Sequence, residues 1–102
     1  MNRTFTFEEA RKLLPAVRER TRRAIERIEA LGEDGAEPES REANGILLSW
    51  VREMAELGIE VKGPWLVDFD SGAGYYCWKW PEESLEYFHG YEEGFAGRMP
   101  LQ

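Results

Sequence analysis

The chain is short of the residues that usually betray a function. Among its 102 residues there is one cysteine, Cys77, and one histidine, His89. A lone cysteine excludes an intramolecular disulfide and every paired-cysteine redox or zinc motif. A lone histidine excludes paired-histidine sites such as two histidines one helical turn apart. No apolar run reaches the 18 or so residues that a membrane helix needs. The opening residues Met1 to Thr6 lack the apolar stretch of a secretory signal. Together these absences lead us to expect a cytoplasmic protein with no membrane partner.

Positive charge is scarce beyond the first third. Residues 32–102 hold five Lys or Arg against fifteen Asp or Glu, and the whole chain carries a net charge of −7. Such a chain repels a phosphate backbone, so nucleic acid is not an expected partner. Residues 1–31 are locally basic, with a net +3. Their arginines are expected to pair with acids of the other half.

What is present is order at helical spacing. Thr6 and Glu9 have the Thr-x-x-Glu spacing of a capping box, in which each side chain bonds the other residue's amide. Ala10, Leu14, Val17, Ala24, Ile28 and Leu31 then recur in steps of four and three, with Thr21 at the single polar step. This predicts a first helix over 6–31. Pro15 removes one ladder bond and crowds the turn before it, so a kink or break is expected near Leu13–Leu14. A Gly-, Glu- and Pro-rich loop over 32–40 follows. Ser40 is expected to cap a second helix over 41–57, built on Ala43, Leu47, Trp50, Met54 and Leu57. Gly58 is its expected left-handed cap, with Ile59 packing back.

Ten of the thirteen aromatic residues fall between Trp65 and Phe95. Alternation there predicts strands at Leu66–Asp70, Tyr75–Trp80 and Leu85–His89, with turns at Ser71–Gly74 and Pro81–Ser84 and a short extended piece at Ile59–Lys62. A tight second hairpin would pair Trp80 with Leu85, Trp78 with Tyr87, Tyr76 with His89 and Lys79 with Glu86. Tyr87 and His89 would then share a face with Tyr76 and Trp78, and Phe88 would share the other with Tyr75 and Cys77. The fold expected is α+β: one domain over 1–102, an antiparallel helical hairpin on an antiparallel β-meander of about three strands. Residues 59–89 form the β-rich region and 90–102 a loop and tail. One hairpin covers only one sheet face, so a homodimer is expected to bury the other.

The chain resembles an uncharacterised bacterial family of small proteins known as a domain of unknown function. The likeness lies in Phe5-Thr6-Phe7-Glu8-Glu9-Ala10 with Leu13-Leu14-Pro15, in Leu57 to Lys62, in Leu66-Val67-Asp68-Phe69, and above all in Tyr87 to Pro100 around Gly94-Phe95-Ala96-Gly97-Arg98. In the family pattern position 88 is Trp and position 90 is Asp; here they are Phe88 and Gly90. The resemblance implies no activity. The loss of the acid at position 90 speaks against a His–Asp dyad.

The chemistry-bearing candidates are few. His89, Asp68 and Glu92 are the metal-ligand candidates, with Asp70, Glu93 and Cys77 as further donors. His89, Arg98, Asp68 and Asp70 are the candidates for a ligand site, with Arg98 as an anion clamp on its glycine-flanked turn. The structural alternative pairs Arg98 with Asp68 or Asp70 and leaves the His89 ring bonded to backbone. Cys77 lacks a neighbour that would stabilise a thiolate and reads as a small buried residue. Stacking of nucleic-acid bases on the aromatics needs a basic groove, yet residues 65–98 hold only Lys79 and Arg98 against seven acids. We therefore assign no catalytic residue and no cofactor. The leading expectation is a non-enzymatic interaction or regulatory domain that self-associates. The alternative is a small metal- or anion-binding protein or enzyme with a site around His89, Asp68, Glu92 and Arg98.

Overall fold

The computed structural model describes residues 3–33 and 41–101. Two helices, α1 (Phe7–Glu33) and α2 (Arg41–Glu56), precede five strands: β1 (Glu60–Gly63), β2 (Leu66–Asp70), β3 (Tyr75–Lys79), β4 (Tyr87–His89) and β5 (Met99–Pro100). The strands form one antiparallel sheet in the order β1-β2-β3-β4-β5. The α+β class and the paired helices are as expected, but the sheet has five strands rather than about three. Glu60–Gly63 joins as one edge. Met99–Pro100, expected as tail, pairs with β4 as the other.

The helix ends follow from local chemistry. The Thr6 amide donates to Glu9 Oε1 at 2.8 Å, and the Glu9 amide to Thr6 Oγ1 at 3.1 Å, which completes the capping box. At the end of α2, Gly58 takes φ 83°. Its amide donates to the Ala55 carbonyl and the Ile59 amide to the Met54 carbonyl, both at 3.0 Å. These are the two bonds of a Schellman motif, and Ile59 is buried behind it. A Cβ on Gly58 would also lie 2.8 Å from the Arg3 side chain. The expected Ser40 cap and most of the 32–40 loop lie outside the described residues; Gly32 itself is helical.

Of the kink or break expected near Leu13–Leu14, the break does not occur: α1 runs unbroken through Pro15. Pro15 is exposed, so water can bond the carbonyl that its missing N–H leaves free. On either side, Ala10, Leu14 and Val17 are buried in the same core, which keeps both halves of the helix packed.

Between the helices the polar step in the apolar stripe has a partner. The fully buried Thr21 hydroxyl donates to the Val17 carbonyl at 2.7 Å and accepts the Trp50 indole N–H at 2.9 Å. The helices cover the sheet face that carries Val67, Phe69 and Trp78, all fully buried. Phe5 closes one end, edge to face on Phe69 at 5.4 Å, with its amide on the Asp70 carbonyl at 2.7 Å. Trp65 packs on Trp50 at 4.8 Å. No helix among the described residues is long and apolar enough to cross a membrane.

The β3–β4 register differs from expectation by one residue. Tyr75 faces His89, Tyr76 faces Phe88 and Cys77 faces Tyr87. The connection is not a tight hairpin. Glu82 folds back on β3: its amide donates to the Lys79 carbonyl, and its Oε1 accepts the Lys79 amide, both at 2.9 Å. Its carbonyl accepts the Trp78 indole N–H at 2.8 Å. Leu85 then turns into the core before β4 begins at Tyr87. A one-residue slip moves every side chain of a strand to the other face. Phe88 therefore packs beside Tyr76 on the helix side, its ring over Gly74, where a Cβ would lie 2.4 Å from it. Tyr87 and His89 join Tyr75 and Cys77 on the outer side.

Trp78 is fully buried and hydrogen-bonded, so Trp78→Ala should lower stability by about 3–5 kcal/mol. Chemical denaturation checks this; a loss below about 1 kcal/mol would show that the helix-facing side has been misassigned.

Candidate functional site

The outer face of the sheet collects the chemistry-bearing residues. Asp68 on β2, Cys77 on β3 and His89 on β4 are 1%, 1% and 4% exposed. Asp68 pairs with Cys77 across one ladder, and His89 sits one strand further on. The C-terminal segment shields them. The Tyr91 ring meets Tyr75 at 5.1 Å, and its hydroxyl donates to Asp70 Oδ1 at 2.7 Å. The Arg98 guanidinium stacks on Tyr87 at 3.8 Å and on Phe95 at 4.6 Å.

The hydrogen bonds of His89 define a slot. Nδ1 lies 2.8 Å from the Gly90 carbonyl, which can only accept, so Nδ1 carries a proton. Nε2 faces Asp68 Oδ2 at 3.0 Å. A carboxylate and a bare ring nitrogen both offer lone pairs, so something positive must lie between them. A proton satisfies the pair as an imidazolium–carboxylate bridge. A metal cation satisfies it equally, with the Gly90 carbonyl holding the correct tautomer.

Two further features favour the second occupant. Asp68 Oδ1 is buried, and the weakly donating Cys77 thiol is the one group beside the carboxylate that could serve it. Leaving such an oxygen unpaired costs about 1–3 kcal/mol, and more when it is charged. Cys77 also joins the slot: one ligand atom each from Asp68, Cys77 and His89 lie within 4.8 Å of one another, the single such group of three among the described residues. A tetrahedral ion with bonds of roughly 2.0–2.3 Å spaces its donors about 3.3–3.8 Å apart, so closing the set takes a shift of about an ångström. In the metal-free protein, burial first and then the Asp68 charge push the Cys77 thiol up to about 12. A bound cation reverses that by deprotonating the sulfur.

All three residues line a pocket of about 380 Å³, with Tyr75, Tyr91 and Phe95 in its walls.

The candidates from the sequence separate here. Asp68 and His89 meet, although position 90 is Gly90: the acid comes from β2 instead. Asp70 bonds the Gly72 amide and the Tyr91 hydroxyl and stays out of the cluster. Glu92 is exposed and lines the pocket without joining the three donors. The expected Arg98 pairing with Asp68 or Asp70 is not formed. Arg98 Nη2 instead meets both oxygens of Glu82, at 2.7 and 2.6 Å. Glu82 was not singled out in the sequence; only its place in the connection gives it that role.

The model of one family matches residues 3–101. The chain belongs to that family, described as an uncharacterised conserved protein, DUF2203. No curated protein and no solved structure matches the chain. The DUF2203 assignment therefore covers both the helical pair and the outer-face cluster, and it carries no activity with it.

The raised Cys77 thiol fixes a pH dependence for the metal-free protein. Its folded value lies above the ordinary 9.0, so the neutral thiol favours the fold. That contribution is whole below pH 9 and is lost as pH rises toward 12. Stability followed by denaturation across this window should fall more steeply for the parent than for Cys77→Ala; equal slopes would refute the burial of a protonated thiol.

Proposed function

We propose that this domain binds one divalent transition-metal ion of the zinc class between Asp68, Cys77 and His89. The observation that carries the reading is the buried Asp68 carboxylate. One oxygen has no N–H or O–H donor, and the other lies 3.0 Å from Nε2 of a ring whose Nδ1 is held by the Gly90 carbonyl. The donor set supports the choice of metal. Thiolate and imidazole select zinc-class ions over calcium or magnesium, which prefer all-oxygen shells. A free thiol ligand is best kept in a reducing compartment, in keeping with the cytoplasm.

The test is thermal unfolding and calorimetry with zinc and cobalt. Saturation at one hundred times Kd should add about 2.7 kcal/mol, a rise in Tm on the order of 10–20 °C for a domain of this size. Binding should release protons, because the thiol must ionise. Asp68→Asn, Cys77→Ser and His89→Gln should each weaken binding by at least about 100-fold, since even groups behind the ligands carry 10–100-fold. Absence of any shift with either ion, or full affinity in Cys77→Ser, would refute the site.

Self-association is the second reading. The chain's own residues 90–101 pack on the sheet face that was expected to need a partner, and a smaller set of apolar side chains stays open. Tyr91, Phe95 and Met99 remain 50%, 45% and 52% exposed. A homodimer through this patch buries them. Light scattering at tens of micromolar should then report twice the chain mass, and a strict monomer ends this reading.

A further inference from the structure

Resting on the metal reading, we propose that the ion keeps an exchangeable fourth position that takes the carboxylate of a small ligand with an aromatic tail. Structural zinc sites are closed by four protein donors, whereas sites with three keep a position for water or substrate. Here three donors converge, and no fourth His, Cys, Asp or Glu among the described residues joins them. Asp68, Cys77 and His89 all line one pocket, the missing position is placed on its side, and its volume is about 380 Å³. That is the lower range of small-ligand sites.

The walls select the tail. Leu66, Tyr75, Tyr91 and Phe95 surround the donors with apolar and aromatic surface. Phe95 is still 45% exposed, as a wall residue waiting for a ring would be. The charged groups select the head. The ion's two positive charges are balanced by the Asp68 carboxylate and the Cys77 thiolate, so an anion is not repelled by the loaded centre. Lys62 lines the pocket too, its Nζ 4.6 Å over the Tyr75 ring and 3.0 Å from Glu60. Of the acids on the C-terminal side, Glu93 Oε1 is held by the Gly90 amide at 2.8 Å. Glu92 is exposed, where water screens it.

The cobalt form of the full chain tests this in two separable steps. Cobalt alone should give the visible spectrum of a thiolate-ligated ion; if it does not, the metal reading itself fails. Acetate and benzoate are then titrated against the loaded protein. Both should perturb the spectrum, with benzoate binding at least about tenfold more tightly, and Phe95→Ala should bring that ratio down toward one. A cobalt spectrum that neither anion alters would mean a closed, structural site. Equal affinity for the two anions, or a ratio unchanged in Phe95→Ala, would mean that no aromatic subsite exists. Any of these three results overturns the inference while leaving the metal site standing.

Discussion

A strand has a side-chain period of two, so the pairing of β3 with β4 decides which residues meet water and which meet the core. Here Tyr75 faces His89 and Cys77 faces Tyr87. One residue of slip would send His89 toward the helices and bring Phe88 out in its place. The core would then hold an imidazole against Trp78 and Phe69, and Asp68 would keep two buried oxygens without a partner. The register is thus fixed from both sides. Phe88 has its place beside Tyr76 over Gly74, and His89 has its place against Asp68.

Burial of Asp68 follows from the same geometry. A carboxylate that is 1% exposed is tolerable only when its charge is met. His89 meets one oxygen, and the C-terminal segment packs over the same face through Tyr91 and Arg98. The proton-bridged pair and the metal-bound triad are two ways of satisfying one constraint. They differ in what they ask of Cys77. The proton leaves it a neutral thiol. A bound metal would make it an anion and would meet the charge of Asp68 as well. That difference is why the sulfur, rather than the histidine, distinguishes the two.

Much of the fold was legible because it rests on local chemistry. Thr6 and Glu9 announce a capping box within four residues. Gly58 announces its left-handed turn from its place after an apolar period. Ser71–Gly74 is the expected turn between β2 and β3, with Asp70 opposite Tyr75 and the Ser71 amide on the Gly74 carbonyl. The site was legible only as a list of residue types. Asp68, Cys77 and His89 were candidates individually, but bringing them together needs the parity of a pairing across the seven residues from Trp80 to Glu86. Turn composition does not fix that parity when the connection packs a side chain into the core, as Leu85 does. The two-residue strand Met99–Pro100 was equally out of reach, since its only signal is the partner it finds.

Glu82 shows what such a connection contributes. Its carbonyl accepts from the Trp78 indole at 2.8 Å and from Arg18 Nε on α1 at 3.0 Å. Its carboxylate accepts from the Lys79 amide and from Arg98. One residue in a turn therefore joins the first helix, the central strand and the C-terminal segment. Arg98 takes Glu82 rather than Asp68 or Asp70 because its guanidinium is held over the Tyr87 and Phe95 rings, within reach of the β3–β4 connection. That choice has a consequence for the cluster. An arginine paired with Asp68 would fill the slot with a fixed cation and leave nothing for a metal to do. With Arg98 held by Glu82, the tail covers the outer face yet leaves Asp68 grouped with His89 and Cys77.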